Sequence, residues 1–387
     1  MDQSIRADPA RLAAAQNCLD KLAGAGAWVH DPSVIDQGAL ESNDELWSWT
    51  ATSADSSESC KMAGRLGTAE ARRLLRGKHV MVVGDLAARL WFSALVYLVN
   101  GTAQPSEVED GFPLHKERAD GVCAWNPDSM RRGGYDFGGW AHFKKSSPCF
   151  KRWYGHRFGT LLDKPLTLNH PPGSKAWWGR GSTRDVMTML LRDSLLWGTW
   201  HEPTHDITVT YLWKGVIRTA GSYKQQHARH LAEVAAKVGK PPSLLVAAMG
   251  AYDSQWQNEK EVATRLSGLY QGLAGRWPAA SPDAPLLLAN GPSSCPAGRK
   301  YSVYMGRGTR HGSFHNLDNA SALIPGARQA ALNNSVLFVD THHPQTTAPP
   351  LRTSPCHYDL PLGVVAEALV QIALSGLRHA SALKTVK

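Results

Sequence analysis

Residues 80–83, Val-Met-Val-Val, form an unbroken apolar run that ends on Gly84-Asp85 and gives way at once to a helical pattern from Leu86. A short β-branched run bounded by turn residues marks a strand buried on both faces, and such strands belong to parallel sheets covered by helices. Gly84 supplies the backbone freedom that a sharp strand-to-helix turn demands. The residue that opens the helix after such a turn is well placed to carry an attacking hydroxyl, because the free N–H groups of the first turn lie beside it to stabilise an oxyanion. In this chain that residue is Leu86, whose side chain has no lone pair. The backbone signature of an acyl-transfer site is therefore present without its acyl acceptor.

The same alternation continues along the chain. Strands are predicted at 206–213, 244–250, 284–290 and 336–340, and helices at 9–22, 68–75, 87–99, 225–238, 259–273, 320–332 and 362–377. Strands separated by helices of this length pair in parallel through crossovers, which predicts an α/β fold, a three-layer α/β/α sandwich on a mainly parallel sheet. Residues 1–70 read as an irregular N-terminal segment packing on the main domain at 71–380, and residues 101–183, rich in Gly, Pro and aromatics without periodicity, read as a long loop-rich insertion. Reactive groups in such sheets gather at the carboxyl ends of the strands, where Asp85, Gly250 and Asp340 fall.

Composition narrows the partners. The chain of 387 residues carries a net charge of +9, with basic residues scattered apart from pairs such as Arg131-Arg132 and Lys144-Lys145. That pattern fits a solvated basic surface or attraction to an anionic glycan, and nucleic acid is not an expected partner because no recognition-helix, zinc-finger or RNA-binding signature occurs. Fourteen tryptophans favour a carbohydrate ligand, since sugar rings stack on indole faces. No run approaches the roughly 18 apolar residues of a membrane span, so no transmembrane segment is expected, and the opening Met1-Asp2-Gln3-Ser4 does not read as a secretory signal. None of the six cysteines stands in a Cys-x-x-Cys pair, which argues against zinc ribbons and leaves a disulfide framework open. Sequons at Asn100, Asn319 and Asn333 point weakly to a lumenal compartment.

Several segments match one pattern in order. Cys18, then 26–31 (Gly-Ala-Trp-Val-His-Asp), Trp47-Ser48-Trp49, Cys60 and 75–85 resemble the N-terminal half of the PC-esterase or trichome birefringence-like family. Residues 208–213 resemble its middle strand, and 356–361 (Cys-His-Tyr-Asp-Leu-Pro) its His-bearing segment. The resemblance implies an SGNH-hydrolase-like sandwich, a relation to glycan O-acetyltransferases and esterases, a carbohydrate substrate, and residence in the Golgi or secretory lumen. It implies no cofactor. It also implies a triad of a serine after Gly-Asp, a histidine at His357 and an acid three residues before it. This chain has Leu86 and Ser354 at the serine and acid positions, and Tyr252 in the block 250–253 where the wider superfamily often has an oxyanion-binding Asn.

Losing one triad member costs on the order of 10⁴ to 10⁶ in turnover, which leaves open whether the chain is an enzyme. One reading is a catalytically compromised relative that binds carbohydrate or supports an active paralogue. The other is an active acyltransferase or esterase in which His357, oriented by Asp340, acts as general base with a nucleophile other than serine. Ser93 lies about two helical turns beyond Leu86, too far along the helix to replace it. Gly84, Gly250 and Tyr252 are the expected oxyanion pocket, and Trp177, Trp178, Arg307 and Arg310 the expected substrate contacts; Trp197 and Trp200 read as groove-lining or core. His342-His343 and the pair His311 and His315 invite a metal reading, but the second pair lies in a Gly-rich stretch with no carboxylate at a ligand offset, so no metal is expected.

Overall fold

A computed structural model of the chain describes residues 5–6, 8–30, 47–51, 60, 66–84, 86–100, 115–117, 123–125, 196–214, 217, 226–249, 259–281, 283–291, 320–341, 343–344, 347 and 364–382. Its centre is a six-stranded sheet of β3 (His79–Gly84), β6 (Leu196–Glu202), β7 (Ile207–Trp213), β8 (Leu244–Ala248), β9 (Leu286–Asn290) and β10 (Leu337–Val339). The spatial order is β10-β9-β8-β3-β7-β6, parallel throughout except for β6, which pairs antiparallel with β7 at one edge. Counted along the chain, the parallel strands run 2-1-3-4-5, a doubly wound order whose direction reverses between β3 and β8.

Alternation along the strands builds two separate cores, because successive side chains of a strand face opposite sides. Val80 and Val82 of β3, Val209 and Tyr211 of β7, Val246 of β8 and Leu288 of β9 pack with α1 (Pro9–Gly24), α2 (Thr68–Leu75), α3 (Leu86–Asn100) and α7 (Val364–Ala382). Met81, Val83, Leu245, Leu287 and Phe338 face the other way, against α4 (Gln226–Val238), α5 (Glu259–Arg276) and α6 (Ala320–Leu332). The molecule is thus the expected α/β/α sandwich on a mainly parallel sheet. Burial on both faces explains why β3, β8 and β9 read as continuous apolar runs.

Two features depart from the sequence expectation. The helix expected at 9–22 forms as α1, which packs on α7 and β10, but the N-terminal segment expected to be otherwise irregular also holds a two-stranded antiparallel sheet of β1 (Gly26–His30) and β2 (Trp47–Ala51). A Trp-rich pair of short strands shows its pairing only through its partner. The second is β6, which was not predicted. Its hairpin to β7 turns through residues 203–206, with Asp206 at φ 53° and the Glu202 carboxylate accepting from the backbone N–H groups of Thr204 and His205 at 3.1 and 2.7 Å. A further short pair, β4 (His115–Glu117) with β5 (Cys123–Trp125), lies in the loop-rich insertion.

A disulfide joins Cys18 on α1 to Cys60. Among the described residues, no helix is long and apolar enough to cross a membrane.

Candidate functional site

The carboxyl ends of the parallel strands form one lateral row in register: Trp213, Gly84, Ala248, Asn290 and Val339. In a doubly wound sheet the ligand crevice opens beyond this edge at the point where the strand order reverses, here between Gly84 and Ala248. Gly84 has φ 150°, a conformation L side chains rarely adopt, and a Cβ there would overlap the carbonyl oxygen of Ala248. Its own carbonyl accepts from the Lys214 N–H at 2.7 Å. Glycine is therefore required where β3, β7 and β8 converge.

Two residues past Gly84 the chain enters α3 at Leu86, and the first turn of α3 holds no acidic residue. A strand, a strained glycine and a helix N-terminus therefore converge, the arrangement that stabilises a developing oxyanion. The residue that opens the helix is Leu86.

Next along this edge, Lys214 follows β7 with a side chain that is 1% exposed, and His230 on α4 is buried beside it. Burial, with the positive charges of Lys214 and Arg229, pushes the His230 imidazole down to about 3, and its Nδ1 has no hydrogen-bond partner among the described residues. His230 is neutral at ordinary pH.

At the far end of the row, β10 leads into half-buried Asp340 and buried Thr341. Three strand spacings, about 14 Å, separate this corner from Gly84. The N-terminal pair β1–β2 is fastened at this corner. Trp28 Nε1 donates to the Pro344 carbonyl at 2.9 Å, and His343 Nε2 donates to the Gly26 carbonyl at 3.2 Å while its ring meets Trp49 edge-on at 5.6 Å. The N-terminal segment thus packs on the main domain at the corner beyond β10.

Of the residues the sequence nominates, Gly84 stands at the switch point, Leu86 opens α3, and Asp340 directly follows β10. Asp85, Gly250, Tyr252, Trp177, Trp178, Arg307, Arg310, Ser354 and His357 lie outside the described residues, as do His311, His315 and His342. Trp200 is buried in the core beneath α3, so the packing reading holds for it and the groove reading does not. No group of three His, Cys, Asp or Glu side chains is placed to hold a metal among the described residues. Sequence reading passed over Lys214, His230 and Asn290. Only Asn290 left a signal, as the polar terminus of Leu-Leu-Leu-Ala-Asn.

No family model matches the chain, and no curated protein matches it. A solved structure described as "a putative arylesterase from Agrobacterium tumefaciens str. C58" is similar over 51% of this chain and 88% of that chain, at 19% identity and a TM-score of 0.29.

Proposed function

We propose that this chain is a carbohydrate-binding relative of the PC-esterase and trichome birefringence-like glycan O-acetyltransferases, in which the acyl-enzyme route is closed. One observation carries the reading. β3 ends on Gly84, where the Ala248 carbonyl leaves no room for a Cβ, and α3 opens two residues on at Leu86, an aliphatic residue where the resemblance expects a serine. Backbone donors without an acyl acceptor can hold an ester or a sugar oxygen but cannot form a covalent ester at that position. The basic balance of the chain and its 14 tryptophans suit a glycan ligand. The Cys18–Cys60 disulfide supports residence in an oxidising lumen such as the Golgi.

The test combines three measurements on the wild-type chain: labelling by a fluorophosphonate, turnover of 4-nitrophenyl acetate and an acetylated glycan, and calorimetric titration with neutral hexasaccharides. The expected result is saturable glycan binding with neither labelling nor turnover. Turnover by the wild type that disappears in His357→Ala would overturn the closed-route reading in favour of an active acyltransferase or esterase.

A further inference from the structure

Asn290 is the one polar side chain in the lateral row at the carboxyl edge that is described, and it is 2% exposed. Its Oδ1 is buried without a hydrogen-bond partner among the described residues. Asparagine is disfavoured in strands, and an unsatisfied buried acceptor costs stability, so neither propensity nor packing accounts for it. An aliphatic residue at this position would continue the run 286–289.

Register shows which way the carboxamide faces. Leu286 and Leu288 of β9 belong to the core beneath α1, α3 and α7, whereas Leu287 and Ala289 belong to the opposite one. Asn290, two residues after Leu288, therefore lies on the α3 side, as do its row neighbours Ala248 and Val339. Between Asn290 and Gly84 stands only Ala248, so across about 10 Å of sheet edge the side chains are a methyl group and a hydrogen. Beyond Gly84 begins α3. The polar carboxamide thus lies on the α3 side of the sheet, two strands from Gly84, and among the described residues of the row only Ala248 stands between them. On the following residue the space is tight: a Cβ on Gly291 would stand 2.6 Å from Ile324 Cδ1 and 2.8 Å from Thr341 Oγ1, and the Gly291 N–H donates to the Val339 carbonyl at 3.0 Å. The backbone that carries Asn290 is fixed.

We propose that Asn290 is a specificity-determining residue of this crevice, its carboxamide oxygen accepting a hydrogen bond from a hydroxyl of the bound glycan. The assignment rests on the carbohydrate reading above and adds the residue that reads the sugar. A site built to accept a hydroxyl discriminates strongly against ligands lacking it, because the buried acceptor is then left unpaired.

The experiment measures two properties of Asn290→Leu against wild type: the melting temperature without ligand, and calorimetric affinity for cello-, xylo-, manno- and maltohexaose. A ligand-facing acceptor predicts a melting temperature that is unchanged or raised, with affinity for the bound hexasaccharide reduced tenfold or more. A lowered melting temperature with affinity retained would show that the carboxamide serves the fold and overturn the proposal. Unchanged affinity at any melting temperature would overturn it as well, and would leave the carbohydrate reading intact. If no hexasaccharide binds the wild type, the carbohydrate reading fails. The Asn290 assignment, which rests on that reading, then falls with it.

Discussion

His79, at the amino end of β3, shows how one buried group can set the acid tolerance of the molecule. Its side chain is fully buried; Nδ1 lies 2.7 Å from the Lys240 carbonyl and Nε2 lies 2.8 Å from Thr210 Oγ1. A carbonyl only accepts, so the proton sits on Nδ1 and Nε2 accepts from the Thr210 hydroxyl. Thr199 Oγ1 lies 2.8 Å from Thr210 Oγ1 and donates its own proton to the Val209 carbonyl at 3.1 Å. Burial pushes the His79 pKa down to about 4. In the unfolded chain the same imidazole titrates near its ordinary value of about 6.5. Between those two values the unfolded state binds more protons than the native state, so stability rises with pH across the window and levels off above it. The full passage is about 3 kcal/mol. Urea unfolding at pH 4.5 and pH 7 should show a lower midpoint in acid. His79→Gln, less stable at pH 7, should lose much of that difference; an unchanged slope would place the acid sensitivity elsewhere, with His230 the next group to test.

At the scale of elements, the edge strand β10 is closed off by a side chain from α1. Gln16 Nε2 donates to the Phe338 carbonyl at 2.9 Å, and Gln16 Oε1 accepts from the Phe338 N–H at 2.8 Å, so one carboxamide satisfies both groups that an edge strand leaves open. The ion pair of Asp20 with Arg328 adds a second link between α1 and the sheet-covering helix α6. Gln371 of α7 repeats the reciprocal clamp on the backbone of Leu66. Gln16→Leu should cost about 1–3 kcal/mol in urea unfolding and should raise self-association in sedimentation velocity as protein concentration rises. A monomeric, equally stable variant would show that the clamp is dispensable. None of this was legible beforehand: Gln16 looks like any polar position on an amphipathic helix. By contrast α2, α4 and α6 were readable nearly to the residue, because each combines a 3.6-residue apolar period with turn residues at its ends. The edge strand β6 escaped for the opposite reason, since Leu-Trp-Gly-Thr-Trp-His-Glu has no clear alternation and is held by its hairpin partner.

For the whole molecule, the disulfide ties the N-terminal segment to the sandwich. Cys18 and Cys60 are 42 residues apart, and the loop they close contains both strands of the β1–β2 pair, which reaches Pro344 beyond β10. Closing a loop of that length removes unfolded-state entropy worth about 4 kcal/mol. The double variant Cys18→Ser and Cys60→Ser should therefore melt well below wild type and lose the wild type's sensitivity to reductant. Equal melting temperatures would mean that the packing of α1 against α7 and β10 holds this segment alone. By itself the sequence determined the layered α/β/α class, the passage from strand to helix after Gly84 and the absence of a hydroxyl at Leu86, because periodicity and the chemistry of single side chains are local properties. Tertiary structure alone decided the reversal of strand order between β3 and β8, the Cys18–Cys60 pairing, the role of Gln16 and the placing of Asn290 beside Ala248 and Gly84. Each of these is a relation between residues distant in the chain, fixed by which strands lie side by side, and no local pattern encodes it.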